Sequence, residues 1–80
     1  MASFNLTIAS AEETLFSGEA KQVTLPGTSG EFTVLANHQP FVSTLRPGVV
    51  TVLSENGEKQ EFEVKHGIFE TAGKTATVLL

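Results

Sequence analysis

The side chains able to do chemistry are few. The chain holds two histidines (His38 and His66), six serines and nine glutamates, with no aspartate, cysteine, tyrosine or tryptophan. The absence of cysteine removes thiolate nucleophiles, Cys-based zinc sites and disulfide-linked partners together. His38 and His66 stand 28 positions apart, and neither has a second ligand at the short spacing that marks a metal site. A Ser-His-Glu triad is defined by geometry rather than chain order, so a small hydrolase stays open on residue types alone. The Gly-x-Ser-x-Gly nucleophile elbow is absent. Gly27-Thr28-Ser29-Gly30 looks like a phosphate-cradling loop, but it lacks the following lysine and leads into a strand pattern instead of a helix N-terminus. It is expected to be a turn. Read this way, the chain carries no catalytic residue, no cofactor and no metal site.

The elements that would position these residues read as strands. Val, Ile and Thr number eight, two and ten of 80 residues, a composition suited to pleated, half-buried surfaces. Phe4, Leu6 and Ile8 alternate with Ser3, Asn5 and Thr7, and the same period of two recurs at Phe32 and Val34, at Phe62 and Val64, and at Ala76 and Val78. Strands are predicted over residues 3–9, 14–25, 31–36, 41–45, 49–54, 59–65, 67–71 and 75–79. The long second run changes parity between Ala20 and Val23, which predicts a bulge that bends one strand from one layer toward the other. Pro26-Gly27 and Pro47-Gly48 suit the centres of type II turns, and Asn56-Gly57 suits a type I′ hairpin. The fold class is therefore all-β: one domain over residues 1–80, a flattened β-sandwich of about eight to ten short, mainly antiparallel strands.

Charge and length narrow the partners. Five basic residues against nine acidic ones give a net charge of −4, which leaves no cationic stripe for a nucleic-acid backbone. No apolar run is long enough to cross a bilayer, and the first residues lack the charged and apolar regions of a secretion signal, so a soluble, cytosolic domain is expected. Phe41-Val42, Val49-Val50, Val52-Leu53, Ile68-Phe69 and Val78-Leu79-Leu80 put apolar groups on both faces of their strands. Two explanations stand: corners and bulges that bury both faces, or a docking surface for a partner. A free-standing ligand- or carbohydrate-binding sandwich is the alternative from another class. Such modules present aromatic platforms, and this chain lacks both Tyr and Trp.

Ser10-Ala11-Glu12, Phe16-Ser17-Gly18, Gly27, Gly30-Glu31, His38, Pro40, Pro47-Gly48, Gly67-Ile68-Phe69-Glu70 and Thr77-Val78-Leu79 form a pattern along almost the whole chain. It resembles the N-terminal β-sandwich of the epsilon subunit of bacterial F-type ATP synthase, with Asn37-His38-Gln39-Pro40 and Arg46-Pro47-Gly48 as the most specific pieces. The resemblance implies a flattened, ten-stranded, non-catalytic rotor element that links the gamma subunit to the c-ring and couples proton-driven rotation to ATP synthesis. By motif position, Ser29, Gly30, Glu31 and His38 would face the polar loops of the c-ring. Ser10, Val42 and Ser43 would face gamma. The implied location is peripheral, on the cytoplasmic face of the bacterial plasma membrane. Family members usually continue into two C-terminal helices, and no ATP site is expected without them; a short natural subunit and a trimmed one read alike after Leu80.

Overall fold

Alternating side chains and dense turn residues build eight strands: β1 (Phe4–Ala9), β2 (Thr14–Gly27), β3 (Gly30–Leu35), β4 (Phe41–Leu45), β5 (Gly48–Ser54), β6 (Lys59–Val64), β7 (Gly67–Ala72) and β8 (Thr75–Leu79). They come from a computed structural model that describes residues 2–80. The molecule measures 31 × 24 × 18 Å, the proportions of a flattened sandwich.

The 14-residue β2 organises the architecture. Its first part pairs with β1, from Phe4 opposite Ala20 to Ala9 opposite Thr14. Its second part pairs with β3 on one side and β5 on the other. The register against β5 shifts between Ala20 and Gln22, which places the expected bulge at Lys21. That extra residue lets Ala20 and Val23 both point into the core, because each side of a bulge keeps its own alternation. One layer therefore contains β4, β7, β8, β1 and the start of β2, and the other contains β3, the end of β2, β5 and β6. A bridge between Gly27 and Leu45 joins β2 to β4, so the path β1-β8-β7-β4-β2-β1 closes on itself. All pairings are antiparallel except β1 with β8.

The core is the set of inward rows from both layers. Phe4, Leu6 and Ile8 of β1 meet Ala20, Val23 and Leu25 of β2, Val50 and Val52 of β5, Phe69 of β7 and Val78 of β8. Fully burying each large apolar side chain contributes roughly 1.5–3 kcal/mol. Phe32, Phe41 and Phe69 form an edge-to-face and tilted trio with ring centroids 5.4–5.7 Å apart, spanning the gap between the two layers where β3 and β4 diverge.

Three turn expectations are corrected. Pro26 and Gly27 stay inside β2, opposite Glu31 and Gly30, and the hairpin turns at Thr28-Ser29 instead. Gly48 belongs to β5 without a positive φ, so Pro47-Gly48 is not a type II turn. At Asn56-Gly57 only Gly57 has positive φ. The bonds Gly57 N–H to Ser54 O at 3.0 Å and Ser54 N–H to Glu58 O at 2.8 Å define a type I turn with a glycine bulge, the usual three-residue hairpin.

Gly27 is required by close approach. A Cβ there would lie 2.7 Å from the Gly30 carbonyl oxygen and 2.7 Å from the Phe32 ring. Gly27→Ala is expected to lower stability by about 1–3 kcal/mol through overpacking, read as a lower urea midpoint with an unchanged slope. An unchanged midpoint would show that the hairpin yields freely.

Candidate functional surfaces

The two layers present different outer faces. On β4, β7, β8 and β1, Thr44, Ile68, Leu79 and Ala9 form one outward row, and Val42, Glu70, Thr77 and Thr7 form the next. Val42 is 59% exposed, Leu79 51% and Ile68 39%. Leu15, at the start of β2, is also exposed. Glu70 is the one charge in these two rows. On the other layer the outward positions include Glu31, Lys59, Glu61 and Glu63 beside Leu35, Val49 and Leu53.

The apolar residues found on both faces of a strand are thereby divided. Val50, Val52, Phe69 and Val78 fill the core, while Val42, Val49, Ile68 and Leu79 remain uncovered. Burial at closed corners does not account for them. Ile68 and Leu79 are direct cross-strand partners, and Val42 lies on the same outer side one row away, opposite Glu70.

The residues expected to face a ring of polar loops fall into two places. Ser29, Gly30 and Glu31 sit together on the β2–β3 hairpin, with Ser29 and Glu31 exposed. The hairpin is clasped to β4: Thr28 N–H donates to Thr44 O at 3.1 Å, the Thr28 hydroxyl lies 2.9 Å from that oxygen, and Arg46 N–H donates to Pro26 O at 2.9 Å. His38 lies beyond the other end of β3, in the crossover to β4, and so is not brought together with Glu31. Its ring is half-buried, edge-on to Phe4 with centroids 5.3 Å apart. Nδ1 lies 2.5 Å from the Leu35 carbonyl oxygen, and Nε2 bonds the Thr71 hydroxyl. Asn37, with φ of 65°, turns the chain so that this ring points back inward.

The three residues expected on the second surface also differ. Val42 stands on the apolar face. Ser43 shares an inward row with Phe69, and its hydroxyl donates to Thr44 O at 3.1 Å. Ser10 closes its own turn, accepting from Glu12 and Glu13 N–H at 3.3 and 3.2 Å. The outward residues that alternation did not single out as contacts, Ile68 and Leu79, face each other across β7 and β8, in the row next to the one that holds Val42 and Glu70. Their signal was the double-sided apolar pattern.

Nothing here assembles a reaction centre around His38, whose partners are a carbonyl and a threonine, not a serine and a carboxylate. Among the described residues, no three His, Cys, Asp or Glu side chains are grouped to hold a metal ion.

Comparison with known proteins agrees with this architecture. The family model described as "ATP synthase, Delta/Epsilon chain, beta-sandwich domain" matches residues 3–80. The ATP synthase epsilon chain of Rhodopseudomonas palustris (strain BisA53) is 47% identical over 79 residues, covering 99% of this chain and 58% of its own length. That of Bordetella petrii is 43% identical, covering 99% and 56%. The chain thus spans under two thirds of the length of the curated relatives it matches. A chain in the cryo-EM structure of Euglena gracilis mitochondrial ATP synthase (OSCP/F1/c-ring, rotational state 1) superposes with a TM-score of 0.91 at 25% identity, covering 99% of this chain and 51% of that one. A chain of the Tetrahymena thermophila mitochondrial ATP synthase central stalk and c-ring shares the fold, with a TM-score of 0.75 at 13% identity, covering 94% and 60%. With a family model matched over nearly its whole length, and with the strands that model describes, the chain belongs to the β-sandwich domain family of the ATP synthase delta/epsilon chain.

Proposed function

We propose that this domain is the sandwich portion of a non-catalytic central-stalk subunit of a proton-translocating F-type ATP synthase, joining the gamma subunit to the c-ring. The observation that carries this reading is the outer face that exposes Val42, Ile68 and Leu79 and holds a single carboxylate, Glu70, in the same two rows, on a chain of this family. Interface cores are depleted of charge and rich in apolar groups, and gamma is the partner assigned to that face. The Ser29-Gly30-Glu31 hairpin is assigned to the polar loops of the c-ring, where Glu31 would pair with a loop cation. Ser10 lies at the rim of the gamma face. The assembly then sits peripherally on the cytoplasmic face of the membrane.

In this role the protein supplies stiffness. Rotation driven at the c-ring reaches gamma only if the element between them resists shear. Strand ladders closed into a ring and a hairpin clasped to β4 provide that resistance. A carbohydrate-binding role has no comparable support: Phe41, the exposed aromatic among the described residues, packs against Phe32 and Phe69 instead of offering a free platform.

Mixing the chain with a matching gamma subunit at micromolar concentration is expected to give a 1:1 complex by native mass spectrometry. Free gamma and free domain alone would overturn the proposal. Glu31→Ala is expected to weaken attachment to the c-ring by about two- to fivefold, the scale of an exposed ion pair, with the circular dichroism spectrum unchanged. Unaltered coupling in the reassembled enzyme would take Glu31 off the contact surface.

A further inference from the structure

We propose that Asn56 is a spontaneous modification site, converted through a cyclic imide with Gly57 to aspartate and isoaspartate at a rate set by opening of the β5–β6 turn, and that the isoaspartate form keeps that turn open. The chain has three asparagines, Asn5, Asn37 and Asn56. Ring closure needs the main-chain nitrogen of the following residue to reach the asparagine Cγ, and a β-carbon on that residue restricts the approach. Asn5 and Asn37 precede Leu6 and His38, whereas Asn56 precedes a glycine. Asn5 is also held within β1, opposite Glu19 on one side and Thr75 on the other. Asn56, Gly57 and Glu58 are exposed, and a Cβ on Gly57 would meet nothing within 4 Å. Solvent therefore reaches this turn freely.

The chemistry requires only water. The Gly57 nitrogen gives its proton to a solvent base and attacks Asn56 Cγ. The new N–C bond closes a five-membered ring, the Cγ–Nδ2 bond breaks, and Nδ2 takes a proton from solvent and leaves as ammonia. Water then opens the ring at either carbonyl. Breaking the bond from Cγ to the nitrogen gives aspartate with an ordinary main chain. Breaking the bond from the main-chain carbonyl carbon to the nitrogen gives isoaspartate, whose main chain runs through Cβ and Cγ. Both routes exchange an amide for a carboxylate, and nothing is oxidised or reduced.

The folded turn restrains both reacting groups. Gly57 N–H is spent on Ser54 O at 3.0 Å. The Asn56 carboxamide is pinned by Glu58, whose N–H donates to Oδ1 at 3.0 Å and whose Oε1 accepts from Nδ2 at 3.1 Å. The Ser54 bond must break before the nitrogen can be deprotonated, and the Glu58 bonds resist rotation of the carboxamide. Reaction therefore passes through local opening, which is cheap for an exposed turn next to β6, an edge strand paired with β5. Isoaspartate prevents reclosure: its extra main-chain carbon enlarges the ring closed by the Gly57–Ser54 bond, and its carboxylate stands between Glu55 and Glu58. The β5–β6 hairpin lies in the layer opposite Val42, Ile68 and Leu79, so conversion loosens one layer and leaves that face as it is.

The test uses the 80-residue chain, kept at pH 8 in buffer and in unfolding concentrations of urea. Peptide mapping by mass spectrometry, with synthetic aspartate and isoaspartate standards, follows each asparagine. Conversion is expected at Asn56 ahead of Asn5 and Asn37 in both solutions, and at least about fivefold faster in urea, the scale of one net hydrogen bond. Gly57→Ala, compared in urea so that folding plays no part, is expected to slow conversion about two- to fivefold through lost backbone freedom. In the purified isoaspartate form, the Ser54 amide, bonded to Glu58 O at 2.8 Å in the unmodified chain, is expected to exchange at least about fivefold faster. Conversion led by Asn5 or Asn37, equal rates in buffer and urea, an unslowed Gly57→Ala chain, or unchanged Ser54 exchange would overturn the proposal.

Discussion

Ile68→Glu is expected to weaken binding to a matching gamma subunit by at least 30-fold, about 2 kcal/mol, while the isolated domain stays folded. Ile68 is outward and exposed, the second residue of β7, flanked across the sheet by Thr44 of β4 and Leu79 of β8. A carboxylate there is hydrated in the free domain and costs little. Once covered by an apolar partner surface it loses that water without gaining a partner. Leu35→Glu provides the control, because Leu35 is also exposed but stands on the outer face of the other layer. Isothermal titration of both variants separates the cases. Equal losses would mean that the charge acts through the whole domain, and loss only for Leu35→Glu would move the docking surface to the opposite side.

Phe69→Ala carries the largest expected cost to the fold, about 3–5 kcal/mol. Its ring is fully buried and packs against both Phe32 and Phe41, at centroid distances of 5.7 and 5.5 Å. It therefore holds the two layers together where β3 and β4 separate. Domains of this size have total stabilities of roughly 5–15 kcal/mol, so the variant would lose a large fraction of its margin. Its urea midpoint is expected to fall by about 1–5 M. A fall below about 0.5 M would mean that Phe32 and Phe41 collapse into the vacated space.

The strands were legible because alternation is a local signal. β1 and β8 lie where Phe4–Ile8 and Thr75–Leu79 alternate, and the parity break between Ala20 and Val23 marked the bulge. What escaped were features set by distant neighbours. Gly27 was read as a turn residue for its backbone freedom, yet its role is to let Phe32 and the Gly30 carbonyl approach. His38 was assigned a contact only by its position in the family pattern, and the inward bonds of its ring were not foreseen. Its partner Thr71 is 33 residues away, and no pattern around either residue announces the pairing. Ser43, placed toward gamma by the resemblance, shares its row with Phe69. The apolar outer face was visible only as a surplus of apolar residues; which of them stay uncovered required the layers to be assembled.

The parallel contact between the first and last strands has a consequence for biosynthesis. Leu6 and Ile8 need Ala76 and Val78 beside them, so the free edge of β1 stays open while the ribosome makes everything in between. The nascent segment can form hairpins, such as β2 with β3, but its final lock arrives with the strand translated last. Any chain carrying this domain is then exposed to holdase chaperones, and to mispairing with a sister copy, until release of that strand.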